Sequence, residues 1–258
     1  GGRRRHDAIT SQLATTARSR VGAVTDTGRL VRLDVLDTPE VPRPDGAPAL
    51  AGGQPARLLV DVAADETVVG LVPIGAGAEA GAPVVLATAR GVVKRVNPEV
   101  IGKDSWDVIR LEKGDEVVGA VELESPNLAF ITSDAQLLHF SADLVRPQGR
   151  LGGGVAGVKL SKDAKVLFFG GVDPATDLVV TIAGAPDSLF GHTTGGAKVT
   201  PLAEYPTKGR ATGGVRCQRF LKGETALIAA AIGGFVTAAA SDGTPVALPE
   251  PTPKRDGS

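Results

Sequence analysis

The segment Gln-Gly-Arg-Leu-Gly-Gly-Gly-Val at residues 148–155 recurs at residues 208–215 as Lys-Gly-Arg-Ala-Thr-Gly-Gly-Val. Each copy is followed by a short strand-like run and then by a turn, at residues 160–163 and at residues 220–223. A long segment that recurs together with its flanking pattern is the mark of a repeat architecture. The sequence therefore predicts that one structural unit is built several times along the chain.

The first half of the repeat is a strand, a turn of the Thr-x-x-Gly type, and a second strand that carries a basic residue. Copies lie at residues 23–33, 86–96, 130–140 and 239–248, with a weak copy around residues 193–199. Glycine, or Asp-Gly, between two apolar runs supplies the positive φ of a tight turn. Each copy is therefore predicted to form a β-hairpin.

The second half of the repeat also has the pattern of a hairpin, at residues 59–69, 108–118, 158–167 and 217–227. Two hairpins make a four-stranded sheet, and a ring of such sheets is a propeller-type fold. The fifth copy has only its first half, and residues 8–14 are expected to supply the strands that complete it. Five blades are favoured, and six are possible if the proline-rich stretch at 39–55 contains structure.

Composition supports an all-β chain. The 258 residues include 34 glycines and 18 prolines, and the apolar residues occur in short runs, as expected for many short strands and turns. We expect residues 1–258 to form a single domain with a distributed core and a flexible tail at 249–258. The chain has no methionine and begins Gly-Gly, so a domain of a longer protein is expected.

Location in a reducing cytoplasm is expected from the single cysteine, Cys217, which excludes an internal disulfide framework. No apolar run approaches the roughly 20 residues that cross a bilayer, and no signal-peptide pattern opens the chain, so no membrane partner is expected.

The formal net charge of −1 conceals a division along the chain. Basic residues dominate 1–32 and 198–222, whereas acidic residues dominate 34–79. Basic groups concentrated in particular repeats would form a stripe on one part of the rim, suited to a phosphate backbone. Charge alone supports equally well the alternative that these are solvated strand faces.

Three segments carry a resemblance to a known family: Gly-Val-Val-Lys-Arg-Val at 91–96, Val-Arg-Pro-Gln-Gly-Arg at 145–150, and the run at 208–223. They resemble the C-terminal domain of the A subunit of bacterial type IIA topoisomerases, over about residues 3–257. The resemblance implies a β-pinwheel, a propeller variant whose blades exchange strands and whose curved basic rim binds and bends duplex DNA. The partners that it implies are double-stranded DNA, the topoisomerase B subunit, and the N-terminal breakage-reunion part of the same polypeptide.

One departure from the family pattern concerns the choice between two enzymes. Gyrase A subunits of this family carry a Gln-basic-basic-Gly-Gly-basic-Gly box that supports tight wrapping, but residues 148–154 lack two of its three basic positions, and 51–54 offer only Ala-Gly-Gly-Gln. Each phosphate contact changes the salt exponent of affinity by about −0.9. The resemblance therefore favours topoisomerase IV, most similar to A subunits of high-GC bacteria, with a gyrase domain carrying a degenerate box as the alternative.

Candidate DNA contacts follow from repeat position. Arg32, Arg95 and His139 share one place in the first hairpin, and Arg150 and Arg210 share one place in the glycine-rich connector. Equivalent places on successive blades face the same way, and connector glycines allow close approach of a phosphate. The alternative is that the connectors are only tight crossovers with exposed arginines. The candidate DNA-binding residues are Arg32, Lys94, Arg95, Arg150, Lys159, Lys208, Arg210, Arg216 and Arg219.

Catalysis finds little support in the sequence. His6, His139 and His192 are far apart, no cluster has metal-ligand spacing, and no glycine run is followed by the Lys-Ser/Thr of a phosphate-binding loop. We expect no catalytic residue, metal or cofactor, because the family keeps its cleaving tyrosine in a separate N-terminal domain. The first hypothesis is a DNA-bending module that steers duplex DNA to the strand-passage core for relaxation and decatenation. A protein-binding propeller is the alternative, and a propeller hydrolase is disfavoured.

Overall fold

The computed structural model describes residues 11–39, 54–75, 83–96, 101–186, 196–239 and 245–253. In these ranges the regular structure consists of β-strands and of short 3-10 turns at Val35–Asp37, Ala56–Leu58, Ala142–Leu144 and Leu202–Glu204. The predicted all-β fold is confirmed. Residues 8–10, most of 39–55, and 193–195 lie outside the described residues, and so do the sequence predictions made for them.

The strands fall into five groups along the chain, one for each copy of the repeat. The first group is β1 (Val21–Thr25), β2 (Arg29–Leu33) and β3 (Val68–Pro73). The second is β4 (Val84–Thr88), β5 (Val92–Val96), β6 (Ser105–Asp107) and β7 (Val117–Glu122). The third is β8 (Asn127–Thr132), β9 (Gln136–Ser141), β10 (Val155–Ala156) and β11 (Val166–Val172). The last two are β12 (Leu178–Gly184), β13 (Ala197–Pro201), β14 (Val215–Arg216) and β15 (Ala226–Gly233), then β16 (Ala238–Ala239) and β17 (Pro245–Val246).

The predicted first hairpins are present as β1–β2, β4–β5, β8–β9 and β16–β17. In the first three, a buried threonine ends the first strand, and its hydroxyl oxygen accepts a hydrogen bond from the backbone four residues later, as Thr132 does from the Gln136 N–H at 3.1 Å. The turn residue before the second strand has positive φ at Gly28, Gly91 and Ala135. The weak copy around 193–199 is a longer hairpin of β12 and β13.

The second half of each repeat is not a hairpin, so that prediction was wrong. The sheet orders are β3-β1-β2-β6, β10-β5-β4-β7 and β11-β8-β9-β14. The short strands β6, β10 and β14 therefore leave their own repeat and pair with the outer edge of the preceding blade, with Leu30 opposite Trp106 and Leu137 opposite Val215. The strands β7 and β11 return to pair with β4 and β8 of their own blade. This is the strand exchange of a pinwheel, and the family resemblance had implied it.

The hydrophobic core is distributed between blades. One buried cluster joins the first and second blades around Leu86 and Trp106. Another joins the second and third blades around Phe130 and Phe140, and a further one joins the third and fourth blades around Leu137 and Tyr205. Each of the first four sheets has its last strand, β3, β7, β11 or β15, at one edge. These four edge strands pack against one another in this order. With residues 11–14 they line a central cavity of about 860 Å³.

The fourth and fifth copies are less complete in the described residues. The fourth sheet, β13-β12-β15, has three strands, and the fifth copy is a two-stranded sheet, as its half-length predicts. Of the segment 8–14, the described part lies on the first blade, where the Leu71 N–H donates to Ser11 Oγ at 3.0 Å. At the other end, the Thr252 N–H donates to the Val199 carbonyl of β13 at 3.0 Å.

Gly214, which ends the second glycine-rich connector, tests the strand exchange. It has φ +77°, and a Cβ there would lie 2.4 Å from the Leu137 carbonyl oxygen, because the connector enters β14 directly against β9. Gly214→Ala should lower the free energy of unfolding by about 2 kcal/mol or more, from left-handed strain and the clash. Urea denaturation measures this change.

The matched control is Gly209→Ala in the same connector, where a Cβ would meet nothing within 4 Å. Its free energy of unfolding should stay within about 0.5 kcal/mol of the wild-type value. Equal effects of the two substitutions would contradict the close approach of connector and β9.

Candidate nucleic-acid interface

The two glycine-rich connectors, residues 148–154 and 208–214, are loops that lead into β10 and β14. In each loop the first residue is hydrogen-bonded to the last. In the first, Gln148 Oε1 accepts from the Gly154 N–H at 2.9 Å, and its Nε2 donates to the Gly154 carbonyl at 3.3 Å. In the second, Lys208 Nζ donates to the Gly214 carbonyl at 3.1 Å. The first residue of each connector therefore holds the last glycine of the same loop.

Each connector is also fixed to the preceding repeats by backbone hydrogen bonds. The Gln148 N–H donates to the Arg95 carbonyl and the Lys208 N–H donates to the His139 carbonyl, each at 3.0 Å. The chain crosses from one blade to the next in the segments that follow β6 and β10, which we call the crossing segments. Each donates a backbone hydrogen bond to a connector: the Arg110 N–H to the Gly152 carbonyl at 3.3 Å, and the Lys159 N–H to the Thr212 carbonyl at 3.0 Å. The connectors are therefore rigidly placed, and the arginine in each has a defined position.

Lys94 is not available for DNA, so that candidate is corrected. Its side chain is 1% exposed, and Nζ donates to the carbonyls of Val108 at 2.8 Å and of Arg150 and Gly152 at 2.7 Å each. Burial lowers the pKa of Lys94 to about 8. The ammonium group joins the crossing segment after β6 to the first connector, and its role is structural.

The hairpin position shared by Arg32, Arg95 and His139 is also less open than predicted. His139 is 1% exposed, with Nδ1 at 3.0 Å from Asn127 Nδ2 and Nε2 at 2.9 Å from the Tyr205 carbonyl oxygen. Arg32 is half-buried and donates to the Ile101 carbonyl at 3.2 Å. Arg95 is half-buried, and the Nε atoms of both arginines are buried without a hydrogen-bond partner. This position is a packed edge at which the histidine is buried and the two arginines are only partly exposed.

The remaining candidates lie at or near the surface of the outer strands and connectors. Arg150, Lys208 and Arg210 are half-buried, and the Arg210 guanidinium donates to the Ala156 carbonyl. Lys159, Arg216 and Arg219 are exposed.

Two positions that are equivalent in successive repeats carry exposed basic residues. Only some of these residues were predicted from the sequence as DNA-binding candidates. The turns at 63–66, 112–115, 161–164 and 221–224 each close with the same backbone hydrogen bond, so their residues can be matched one by one. Arg110, Lys159 and Arg219 share one position before the turn, and Lys113, Lys162 and Lys222 share another within it. Of these six exposed residues, Arg110, Lys113, Lys162 and Lys222 were missed, although the alignment of the turns is visible in the sequence.

The first repeat lacks this basic pattern. Asp61 and Ala64 stand at the two positions that are basic in the next three repeats. The outer strands change in the same direction, because Asp107 in β6 is matched by Ala156 in β10 and by Arg216 in β14. At this position the outer strands therefore change from acidic to basic over the first three sheets.

Other kinds of site find no support in the described ranges. They contain no group of three or more His, Cys, Asp or Glu side chains that could hold a metal ion. None of the helical segments among them has the length and hydrophobicity to cross a bilayer.

Comparison with known proteins gives consistent matches. A family model described as the DNA gyrase C-terminal domain, beta-propeller, matches residues 82–122, 126–170 and 193–231, which correspond to the second, third and fourth repeats. The DNA gyrase A protein of Klebsiella oxytoca is 31% identical over 193 residues, covering 73% of this chain and 20% of the relative. The chain thus spans about a fifth of the length of that curated relative.

Two solved structures share the fold. A crystal structure of the C-terminal domain of DNA topoisomerase IV has a TM-score of 0.68 at 19% identity, covering 84% of this chain and 64% of that one. A DNA gyrase A C-terminal domain has a TM-score of 0.60 at 15% identity, covering 84% and 66%. Fold and repeats define a β-pinwheel of the propeller class. More particularly, the matched repeats and the shared fold make this chain similar to the C-terminal domains of DNA gyrase A and of DNA topoisomerase IV.

Lys94→Met tests the burial of the ammonium group. With a pKa of about 8 in the folded state against 10.5 unfolded, the unfolded chain binds more protons between these pH values. The free energy of unfolding of the wild type should therefore rise with pH, relative to that of the variant, by about 1 kcal/mol per pH unit between pH 8 and 10. Urea denaturation at several pH values measures the difference. A difference that does not change with pH would mean that Lys94 is solvated.

Proposed function

We propose that this domain binds duplex DNA along the rim formed by its outer strands, crossing segments and connectors, and bends it. The observation that carries the proposal is the recurrence of exposed basic residues at matched positions of three successive repeats: Arg110, Lys159 and Arg219, then Lys113, Lys162 and Lys222. A phosphate backbone presents negative charge at regular intervals, and contacts to it position DNA without reading its sequence.

The connectors add a second set of contacts to the proposed path. Arg150 and Arg210 hold the same place in two loops whose backbones are fixed by hydrogen bonds. Glycine at 149 and 209 leaves open space beside each arginine, since a Cβ at either position would meet nothing within 4 Å. A phosphate group can therefore approach both the guanidinium and the loop backbone.

Within the whole enzyme, we propose that the domain steers duplex DNA to the strand-passage core of a topoisomerase whose A and B subunits work together. The basic residues are confined to part of the rim, and the segment 148–154 has one basic residue where the gyrase box has three. Fewer phosphate contacts favour a modest bend over a full wrap, which supports relaxation and decatenation in the manner of topoisomerase IV.

A gyrase wrapping domain is the second candidate function. It is favoured by the curated relatives, because the matched relative from Klebsiella oxytoca is named as a DNA gyrase A protein. The two candidates share the DNA-binding rim and differ in how much DNA the rim holds.

Arg150→Ala, Arg210→Ala and Lys159→Ala test the rim. Each should weaken binding to duplexes of unrelated sequence and reduce the slope of log affinity against log salt by about 0.9, because each removes one phosphate contact. Fluorescence anisotropy with a labelled duplex at several salt concentrations measures both effects.

The matched control is Arg57→Ala, an exposed arginine of the first repeat, where the rim is acidic. Its affinity and salt slope should remain those of the wild type. If Arg57→Ala had the same effect as the three rim substitutions, binding would follow total charge and the proposed path would be wrong.

Circle closure separates the bending and wrapping candidates. Bending 20–30 base pairs through 40–90° costs of order 1–6 kcal/mol, which a rim with few contacts offsets only for a modest bend. Closing a relaxed DNA circle around the domain should therefore trap little writhe, measured by the topoisomer distribution on gels. Strong trapped writhe would favour the gyrase candidate.

A further inference from the structure

Leu151 is an exposed apolar residue on the proposed DNA-binding rim. It follows Arg150 in the first connector, and 57% of its surface is exposed. Of residues 149–154, only Arg150 and Leu151 carry side chains, because the other four are glycines. The tip of this connector is therefore slender, with one basic and one apolar side chain on it.

The backbone on both sides of Leu151 is held in place. The Gly152 N–H donates to the Gly149 carbonyl at 2.9 Å and closes a turn around residues 150 and 151. Lys94 Nζ donates to the carbonyls of Arg150 and Gly152, the residues before and after Leu151, at 2.7 Å each. A ligand that binds at this tip therefore does not have to order the loop first.

The space around the tip is open. A Cβ at Gly149 would meet nothing within 4 Å, and one at Gly153 would meet only the Arg110 carbonyl oxygen, at 3.5 Å. The minor groove of B-DNA is about 6 Å wide and admits only a slender element. An Arg150 guanidinium at a phosphate would place Leu151 at the edge of a groove, because adjacent Cα atoms are about 3.8 Å apart.

An apolar side chain in the minor groove distinguishes between base pairs. A·T and T·A pairs present only acceptors there, whereas a G·C pair adds the guanine N2 amino group. This group projects from the floor of the groove, so a leucine would collide with it and leave its N–H groups without an acceptor. A·T pairs also favour a narrow minor groove, which suits DNA that is bent toward the rim with this groove facing inward.

We propose that Leu151 enters the minor groove of the bound duplex, where this groove faces the first connector, and gives the domain a preference for A·T over G·C base pairs at that point. The inference rests on the DNA-binding function proposed above and goes beyond it, because phosphate contacts carry no sequence information. The second connector has Ala211 at the equivalent position, so the preference comes from the first of the two.

Three duplexes of equal length test the preference: alternating A·T, alternating G·C and alternating I·C. Inosine lacks the guanine amino group but keeps the major-groove edge of guanine, so the I·C duplex separates the two grooves. With the full chain in fluorescence anisotropy, the A·T and I·C duplexes should bind several-fold more tightly than the G·C duplex. Equal affinity for all three, or I·C binding like G·C, would overturn the proposal.

Leu151→Ala assigns the preference to this residue. The variant should bind the three duplexes with nearly equal affinity and keep the wild-type salt slope, because no phosphate contact is lost. Its urea midpoint should not change, since Leu151 is exposed. A preference that persists would mean that Arg150 or DNA shape reads the sequence, and a lower salt slope would mean that Leu151 only positions Arg150. Either result contradicts the proposal.

The matched control is Leu221→Ala. Leu221 is 67% exposed and precedes the rim residue Lys222, but it lies in the turn at 221–224 and not in a connector. This variant should keep the wild-type preference, and an equal loss in both variants would mean general apolar contact along the rim and rule out the role of Leu151. The proposed function is tested separately, because salt-dependent binding that responds to Arg150→Ala and Lys159→Ala would survive the absence of any base-pair preference.

Discussion

The exchange of outer strands is the constraint on which the rest of this structure depends. In the first three sheets of the described chain, the outer strands β6, β10 and β14 each come from the repeat that follows the hairpin they pair with. The crossing is fixed where the backbones of Val108, Gly157 and Cys217 donate to the turn residue of the preceding hairpin. Because three of the four hydrophobic clusters in the described residues also lie between two blades, a blade gains stability from its neighbours, as in other repeat proteins.

This exchange also explains how a loop rich in glycine can present charge at a fixed place. A connector must leave one hairpin, cross the edge of the blade before it and enter an outer strand within a few residues. Backbone hydrogen bonds at both ends hold it there, and Lys94 adds an ammonium group where the second blade and the first connector meet. The loop arginines are therefore positioned by the fold, and glycines provide the clearance.

Sequence predicted the parts of the fold that depend on local chemistry. The first hairpins follow from Thr-x-x-Gly turns, whose hydrogen bonds lie within five residues. The second halves were wrongly predicted as hairpins because partner choice in a sheet is non-local, and two strands with a turn between them look the same whether they pair together or with different blades. Only the family resemblance implied the exchange.

The sequence predicted the candidate site less well, for the same reason. One error was avoidable, because Lys94 was taken for a surface cation although it holds the same position in β5 as the buried residues Val31 in β2 and Leu138 in β9. The burial of His139 had no such signal, because its Nε2 partner, the Tyr205 carbonyl, comes from a distant part of the chain.

A formal net charge of −1 is compatible with DNA binding because the repeats differ in charge at matched places. Asp61 stands where Arg110, Lys159 and Arg219 stand in later repeats, so on the proposed function the first repeat would repel the DNA backbone that the later repeats would attract. Coulomb attraction falls off within a Debye length of about 8–10 Å, so local charge on each blade decides the path and the sum over the chain does not. On the proposed function, DNA leaves the rim near the first blade, and that exit limits the arc over which it can be bent.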